Sequence, residues 1–139
     1  MWCWWCCHPF DTEPLQLPYS YDDRRKRFTT LGNFCSWSCM KSYALDKYGV
    51  NKGSIICGNI TLMRKRLYGK LESIKRAPNR YALKVFGGDL TIEAFRENAV
   101  IDDTPRKAIT TEPVKDNTVS FISNAKKMNE IKNTNDGLV

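Results

Sequence analysis

The chain has 139 residues, 42% of them hydrophobic, and a formal net charge of +7. That length suits one domain, or a small domain with an extension, and no apolar run approaches the ~18 residues needed to cross a bilayer. The charge is concentrated: residues 24–84 carry fifteen Lys and Arg against Asp46 and Glu72, whereas residues 1–23 hold four acids and no base and residues 85–139 seven bases against nine acids.

The first element is a knuckle, Cys3-Trp4-Trp5-Cys6. Its counterpart, Cys35-Ser36-Trp37-Ser38-Cys39, follows after 28 intervening residues. Spacings of two to four residues between paired ligands bend the backbone so that two thiolates reach one tetrahedral ion at about 2.3 Å. Cys3, Cys6, Cys35 and Cys39 are therefore the expected ligands of one structural Zn2+. Two alternatives stay open within the cluster, with Cys7 replacing Cys6 or His8 serving as a ligand. Four thiolates around one ion leave no open coordination position. With a single His in the chain, Cys57 lacks the base a catalytic thiol needs and reads as core. Gly87-Gly88 has no following Lys-Ser/Thr and is no phosphate loop. No enzyme and no small-molecule substrate are expected. The opening Met1-Trp2-Cys3-Trp4-Trp5 lacks the basic lead-in of a secretory signal, so metal in a reducing compartment is expected and disulfides are not.

Between the knuckles, Pro9, Pro14 and Pro18 exclude a long helix, and the segment reads as irregular loop leading into a hairpin. Arg27-Phe28-Thr29-Thr30 is its short strand and Gly32-Asn33-Phe34 a turn into the second knuckle. A helix is expected from Ser36 or Ser38, capped by one of those hydroxyls, with Met40, Tyr43, Ala44 and Tyr48 inward and Gly49 as its stop. Knuckle, hairpin and helix in that order define a treble-clef arrangement. Beyond it, Ile60–Tyr68 reads as a helix capped by Asn59 and ended by Gly69, with a second stretch over Leu71–Ile74. A turn is expected at Ala77–Arg80, and Tyr81–Phe86 is ambiguous between strand and helix. Thr91 caps a helix over Ile92–Glu97. Asp102-Asp103 reads as a helix-end or turn pair. Val119, Ile122, Ala125, Met128 and Ile131 recur at three-residue steps, and Asn133–Val139 is expected to be disordered. The predicted fold is small α+β: a four-cysteine treble-clef finger over 1–50, a basic, mainly helical extension over 51–98, and a polar tail over 99–139 with an amphipathic segment at 118–132.

The first knuckle together with Phe34-Cys35-Ser36 resembles the FCS or MYM-type zinc finger. It is closest to the version in the late transcription factor 2-like proteins of large double-stranded DNA viruses, the poxviruses and their relatives. Residues 77–96 also resemble sequence that accompanies the finger in some viral members. Poxvirus members have a long stretch before the finger, whereas here the knuckle begins at residue 3. The resemblance implies a zinc-dependent factor of viral late transcription, working in the host cytoplasm or viral factory, with virion packaging as a further destination.

An aromatic or apolar residue follows each basic run. Arg24, Arg25, Lys26 and Arg27 precede Phe28, Arg64, Lys65 and Arg66 precede Leu67-Tyr68, and Lys75, Arg76 and Arg80 precede Tyr81. Phosphate attraction beside a stacking face suits single-stranded or flexible nucleic acid, so these ten are the candidate contacts for DNA, RNA or transcription-machinery proteins. Trp2, Trp4, Trp5 and Trp37 are expected around the metal, at least two of them shielding it and an exposed one anchoring a partner. A zinc-stabilised protein-interaction module, in the virion or acting on host signalling, is the competing expectation, and general RNA binding a third.

Overall fold

In the computed structural model, which describes residues 1–102 and 106–114, the protein is a small α+β unit. Strands β1 (Leu15–Asp22) and β2 (Arg27–Phe34) form an antiparallel hairpin, and a third strand, β3 (Thr110–Pro113), lies parallel to β2 on its other side. The hairpin is longer than its sequence suggests because Pro18 sits within β1. That residue is tolerated because β1 is an edge strand and its pairing slips on either side of Leu17-Pro18. Leu15, Leu17, Phe28 and Phe34 point inward from the hairpin and are buried.

Helix α1 spans Trp37–Tyr68. Ser36 is its cap, accepting from the Cys39 amide at 3.1 Å, and Gly69, left-handed, ends it. The expected stop at Gly49 is corrected, since the chain turns a corner there and resumes helix at once. Gly49 has φ 77° and ψ −175°, a combination only glycine adopts without strain. The second half then folds back so closely that a Cβ on Gly53 would lie 2.9 Å from the Ala44 carbonyl oxygen. Asn59 is therefore mid-helix, and its amide donates to the Pro18 carbonyl at 3.3 Å, tying α1 to the irregular part of β1.

Beyond Tyr68 the extension is mostly not helical. Leu71–Ile74 is irregular, and Tyr81–Phe86, neither strand nor regular helix, forms two 3-10 turns (Arg80–Ala82 and Lys84–Phe86). Helix α2 covers Ile92–Arg96, with the Thr91 hydroxyl accepting from the Ala94 amide at 3.1 Å and Phe95 buried beneath it. The amphipathic segment at 118–132, Asn133–Val139 and Asp103 lie outside the described residues. No helix among the described residues is long and apolar enough to cross a membrane.

One buried cluster unites the parts. Trp37, Phe28, Phe34, Leu17, Met40, Ile56, Ile60 and Leu83 are fully enclosed, and burying each large apolar side chain contributes about 1.5–3 kcal/mol. The extension is fastened to the start of α1 by its backbone. Ala77 donates to the Ser38 carbonyl at 3.1 Å and Trp37 to that of Val100 at 3.0 Å, while the Val100 amide donates to the Ser38 hydroxyl at 3.0 Å.

Candidate metal centre and basic surface

The four predicted cysteines converge. The sulfurs of Cys3, Cys6, Cys35 and Cys39 all lie within 4.8 Å of one another, and all four residues are buried. Cys6 and Cys35 Sγ are 3.9 Å apart and Cys35 and Cys39 Sγ 3.7 Å. A zinc tetrathiolate with bonds of about 2.3 Å has edges of about 3.8 Å, so the donor set fits one structural Zn2+. The first pair is shaped by a tight loop in which Cys7 donates to the Cys3 carbonyl and Cys3 to that of His8, each at 3.0 Å. The loop turns through Cys7, whose φ is 56°. The second pair straddles the Ser36 cap, which puts Cys39 in the first turn of α1, where the helix dipole favours a thiolate.

Neither open alternative is a ligand in this geometry. Cys7 directs its thiol to the Trp5 carbonyl at 3.8 Å, and His8 places Nδ1 2.6 Å from the Cys6 carbonyl oxygen. Cys57 is half-buried on α1, where burial pushes its thiol up.

Mutual hydrogen bonding sets the four clustered thiols apart. Bonding with Cys35 lowers Cys3 to about 7, and bonding with Cys3 lowers Cys6 further. Cys35 and Cys39 are raised, in each case first by Cys3. A dication relieves this conflict by letting all four ionise, so zinc binding releases protons. Arg96 at the end of α2 supports the resulting negative charge. Its guanidinium donates to Cys6 Sγ at 3.5 Å and to the Pro9 carbonyl at 3.1 Å. Sequence reasoning did not find it, because nothing near residue 96 marks a partner 90 positions away.

The tryptophans divide. Trp5 and Trp37 are buried, whereas Trp2 and Trp4 are 63% and 42% exposed. The Trp5 indole donates to the Pro78 carbonyl at 3.0 Å and that of Trp37 to Asp102 Oδ2 at 2.7 Å.

The ten predicted basic contacts do not form one surface. Arg64 is corrected outright: it is 3% exposed and donates to both carboxylate oxygens of Asp102, at 3.0 and 3.3 Å. Lys70 reaches the same carboxylate at 2.8 Å. Asp102 is therefore the anion of a buried cluster, not a turn residue. Burial opposes its charge, but Arg64, Lys70 and Trp37 outweigh that and hold its carboxyl below the usual range. Arg80 is half-buried, with its guanidinium 4.4 Å from the Trp5 ring centroid and donating to the Trp4 carbonyl. Arg27 pairs with Glu112 at 3.2 Å. Arg66 lies over the Tyr21 ring at 4.7 Å. Arg24, Arg25 and Lys26 are exposed on the hairpin turn, the last two facing Asp22 and Asp23, and Lys65, Lys75 and Arg76 are exposed.

Comparison with known proteins fits this site. Residues 3–43 match the MYM-type zinc finger with FCS sequence motif, and this part of the chain is similar to that family. It is 29% identical to an uncharacterized protein of Acanthamoeba polyphaga mimivirus over 102 residues, 70% of this chain and 28% of that one. It is 34% identical to an uncharacterized protein of African swine fever virus over 98 residues, 67% of this chain and 55% of the relative. The chain thus spans about a quarter and about half the length of these two relatives. Both matches are longer than the finger and must include extension. No solved structure matches.

Proposed function

We propose that this protein is a late-gene transcription factor of a large DNA virus, using a treble-clef zinc finger to organise a surface that recruits nucleic acid or transcription-machinery proteins. The observation that carries the reading is a metal site fully enclosed by four thiolates beside the most basic third of the chain. Such a metal holds shape and leaves the surface to bind. Kinship with proteins of large DNA viruses and the resemblance to late transcription factor 2-like proteins support the setting. The role is non-enzymatic, and the place of action is the host cytoplasm or viral factory, with packaging in the virion. The competing reading, a protein-interaction module without nucleic-acid contact, draws support from Trp2, Tyr81 and Val85, which are 63%, 67% and 66% exposed.

The test is fluorescence anisotropy of the zinc-loaded protein against duplex DNA, single-stranded DNA and RNA across a salt series. A nucleic-acid factor shows a log–log salt slope of about −0.7 to −0.9 per phosphate contact. It also weakens when Arg24, Arg25 and Lys26 are all changed to Ala. Absence of binding to every polymer at physiological salt overturns nucleic-acid contact and leaves the protein-interaction module.

A further inference from the structure

The extension leaves a small cleft against the second knuckle. Two of its segments bond to one residue at the start of α1. The Ala77 amide donates to the Ser38 carbonyl at 3.1 Å, and the Val100 amide donates to the Ser38 hydroxyl at 3.0 Å. Residues 75–78 of the first segment and Ala94, Phe95 and Ala99 of the second line a cavity of about 90 Å³, together with Ser38 and Cys39. Both walls are fixed. On one, the Pro78 carbonyl accepts from the Trp5 indole at 3.0 Å and the Ala77 carbonyl from the Ser42 hydroxyl at 2.8 Å. On the other, the Thr91 hydroxyl caps α2 and the Ala99 amide donates to the Arg96 carbonyl at 3.0 Å. A cleft held on both sides loses little freedom when it is filled.

The lining selects the occupant. At about 90 Å³ the cavity is well below the ~300 Å³ at which sites for small organic ligands begin. It is well above the ~10–15 Å³ that one water needs, so it suits a single anchoring side chain. Ala77, Pro78, Ala94, Phe95 and Ala99 make that side chain apolar. Lys75 and Arg76 also line the cavity and are exposed. Among the described residues neither has a carboxylate partner, and no lining residue is acidic. Arg96, the third cation, is already engaged by Cys6 and Pro9. The main-chain groups of Lys75 and Arg76 pair with no other backbone group among the described residues, which leaves them for an incoming peptide.

We propose that this cleft is a docking site for an acidic linear peptide of a partner protein, with one apolar side chain in the cavity and Asp or Glu side chains against Lys75 and Arg76. The proposal rests on the recruitment reading above and gives the chemistry of its protein partner. A buried anchor supplies affinity, and opposite charge around it supplies register and on-rate. A phosphate backbone would use the two cations and leave the apolar lining empty. Cys39 is both a metal ligand and part of the cavity, so the cleft exists only while the finger is folded and recognition is tied to zinc.

The experiment pans a random peptide library displayed on phage against the full zinc-loaded chain. An enriched peptide is then synthesised with a fluorescein label and titrated by anisotropy across a salt series. The variants are Ala94→Leu and Ala99→Leu, which fill the cavity, and Lys75→Glu/Arg76→Glu, which reverses its rim. Lys47→Glu/Lys107→Glu makes the same change of charge at exposed positions that do not line the cavity. Zinc content and thermal melting certify each fold, and the rim reversal, a surface change, remains informative if a filled variant misfolds. The cleft requires enriched peptides to carry an apolar residue beside Asp or Glu. It requires the filled variants and the rim reversal each to weaken binding about tenfold or more, whereas the comparison pair stays within about threefold of wild type. Enrichment of peptides without acids overturns the proposal, as does acidic-peptide binding that survives both cavity filling and rim reversal. If no peptide is enriched but the chain binds nucleic acid in the salt series described above, the cleft falls and the recruitment reading stands. If it binds neither, both fall.

Discussion

The zinc site and the Asp102 cluster both draw distant parts of the chain together around buried charge, and they do it by opposite means. In the zinc site four like-charged ligands repel one another and a dication holds them, while Arg96 offsets what remains. In the Asp102 cluster one carboxylate, 1% exposed, gathers Arg64, Lys70 and the Trp37 indole. Trp37 belongs to both, since it lies between Cys35 and Cys39 in sequence and donates to Asp102 across 65 positions. The comparison teaches that the finger is not a bead with a tail. Its second knuckle is clamped from behind by residues 74–102, as Lys41 to the Ile74 carbonyl (2.8 Å) and Ser42 to the Ala77 carbonyl (2.8 Å) also show.

The sharpest way to break the comparison is to remove one side of it. Cys35→Ser or Cys39→Ser should abolish zinc retention and unfold the N-terminal region, because structural zinc contributes about 10–16 kcal/mol in small fingers. Native mass spectrometry showing one zinc in both variants would sink the ligand assignment. Asp102→Ala attacks the other centre and leaves Arg64, among the described residues, with only the Glu72 carbonyl at 3.3 Å. Chemical denaturation should register a loss of about 3–5 kcal/mol, with zinc still bound at saturating metal. An unchanged midpoint would mean that the cluster adds nothing.

The Asp102 centre also has a pH signature. Its carboxyl is held below the ordinary value in the fold, so its contribution is fully present above the unfolded carboxylate range, about 4, and is lost as pH falls through the lowered folded value. The stability gap between the zinc-loaded wild type and Asp102→Asn should therefore begin to narrow only as pH falls below about 4 and close below the lowered folded value. A gap that narrows already above that range contradicts the assignment.

A smaller effect separates the ligands from their support. Arg96→Ala should keep one zinc but weaken affinity about 10- to 100-fold in a chelator competition, the usual consequence of losing a partner to a metal ligand. Arg96→Lys should recover part of it. Comparable in size is Gly49→Ala. Nothing lies within 4 Å of the added methyl, so its cost, about 1–3 kcal/mol by urea titration, would come from backbone strain alone.

What was legible in the sequence was local. The cysteine spacings gave the metal centre, and the hydroxyl of Ser36, the cap at Thr91 and the stop at Gly69 could be placed because each acts within four residues of itself. The rest depended on long-range pairing. Asp102 looked like a turn residue because Arg64, 38 positions back, carries no mark that it will be buried. The same blindness sent Arg64 to the surface, although three neighbouring bases share a run and only its side of α1 faces inward. Gly49 read as a stop because glycine ends helices and also turns them, and only ψ tells the two apart. Strand β3 was missed because four exposed residues have no apolar alternation. Only Ile109-Thr110-Thr111, β-branched throughout, hinted at it.

The corner at Gly49 has a bearing on a contact it does not itself make. Tyr43 and Tyr48 precede it and Lys52 follows it, so one torsion sets where the cation falls relative to the rings. Any side chain at position 49 strains the corner that sets the Lys52 ammonium against Tyr19 and Tyr48, so that alignment depends on a residue that touches neither partner.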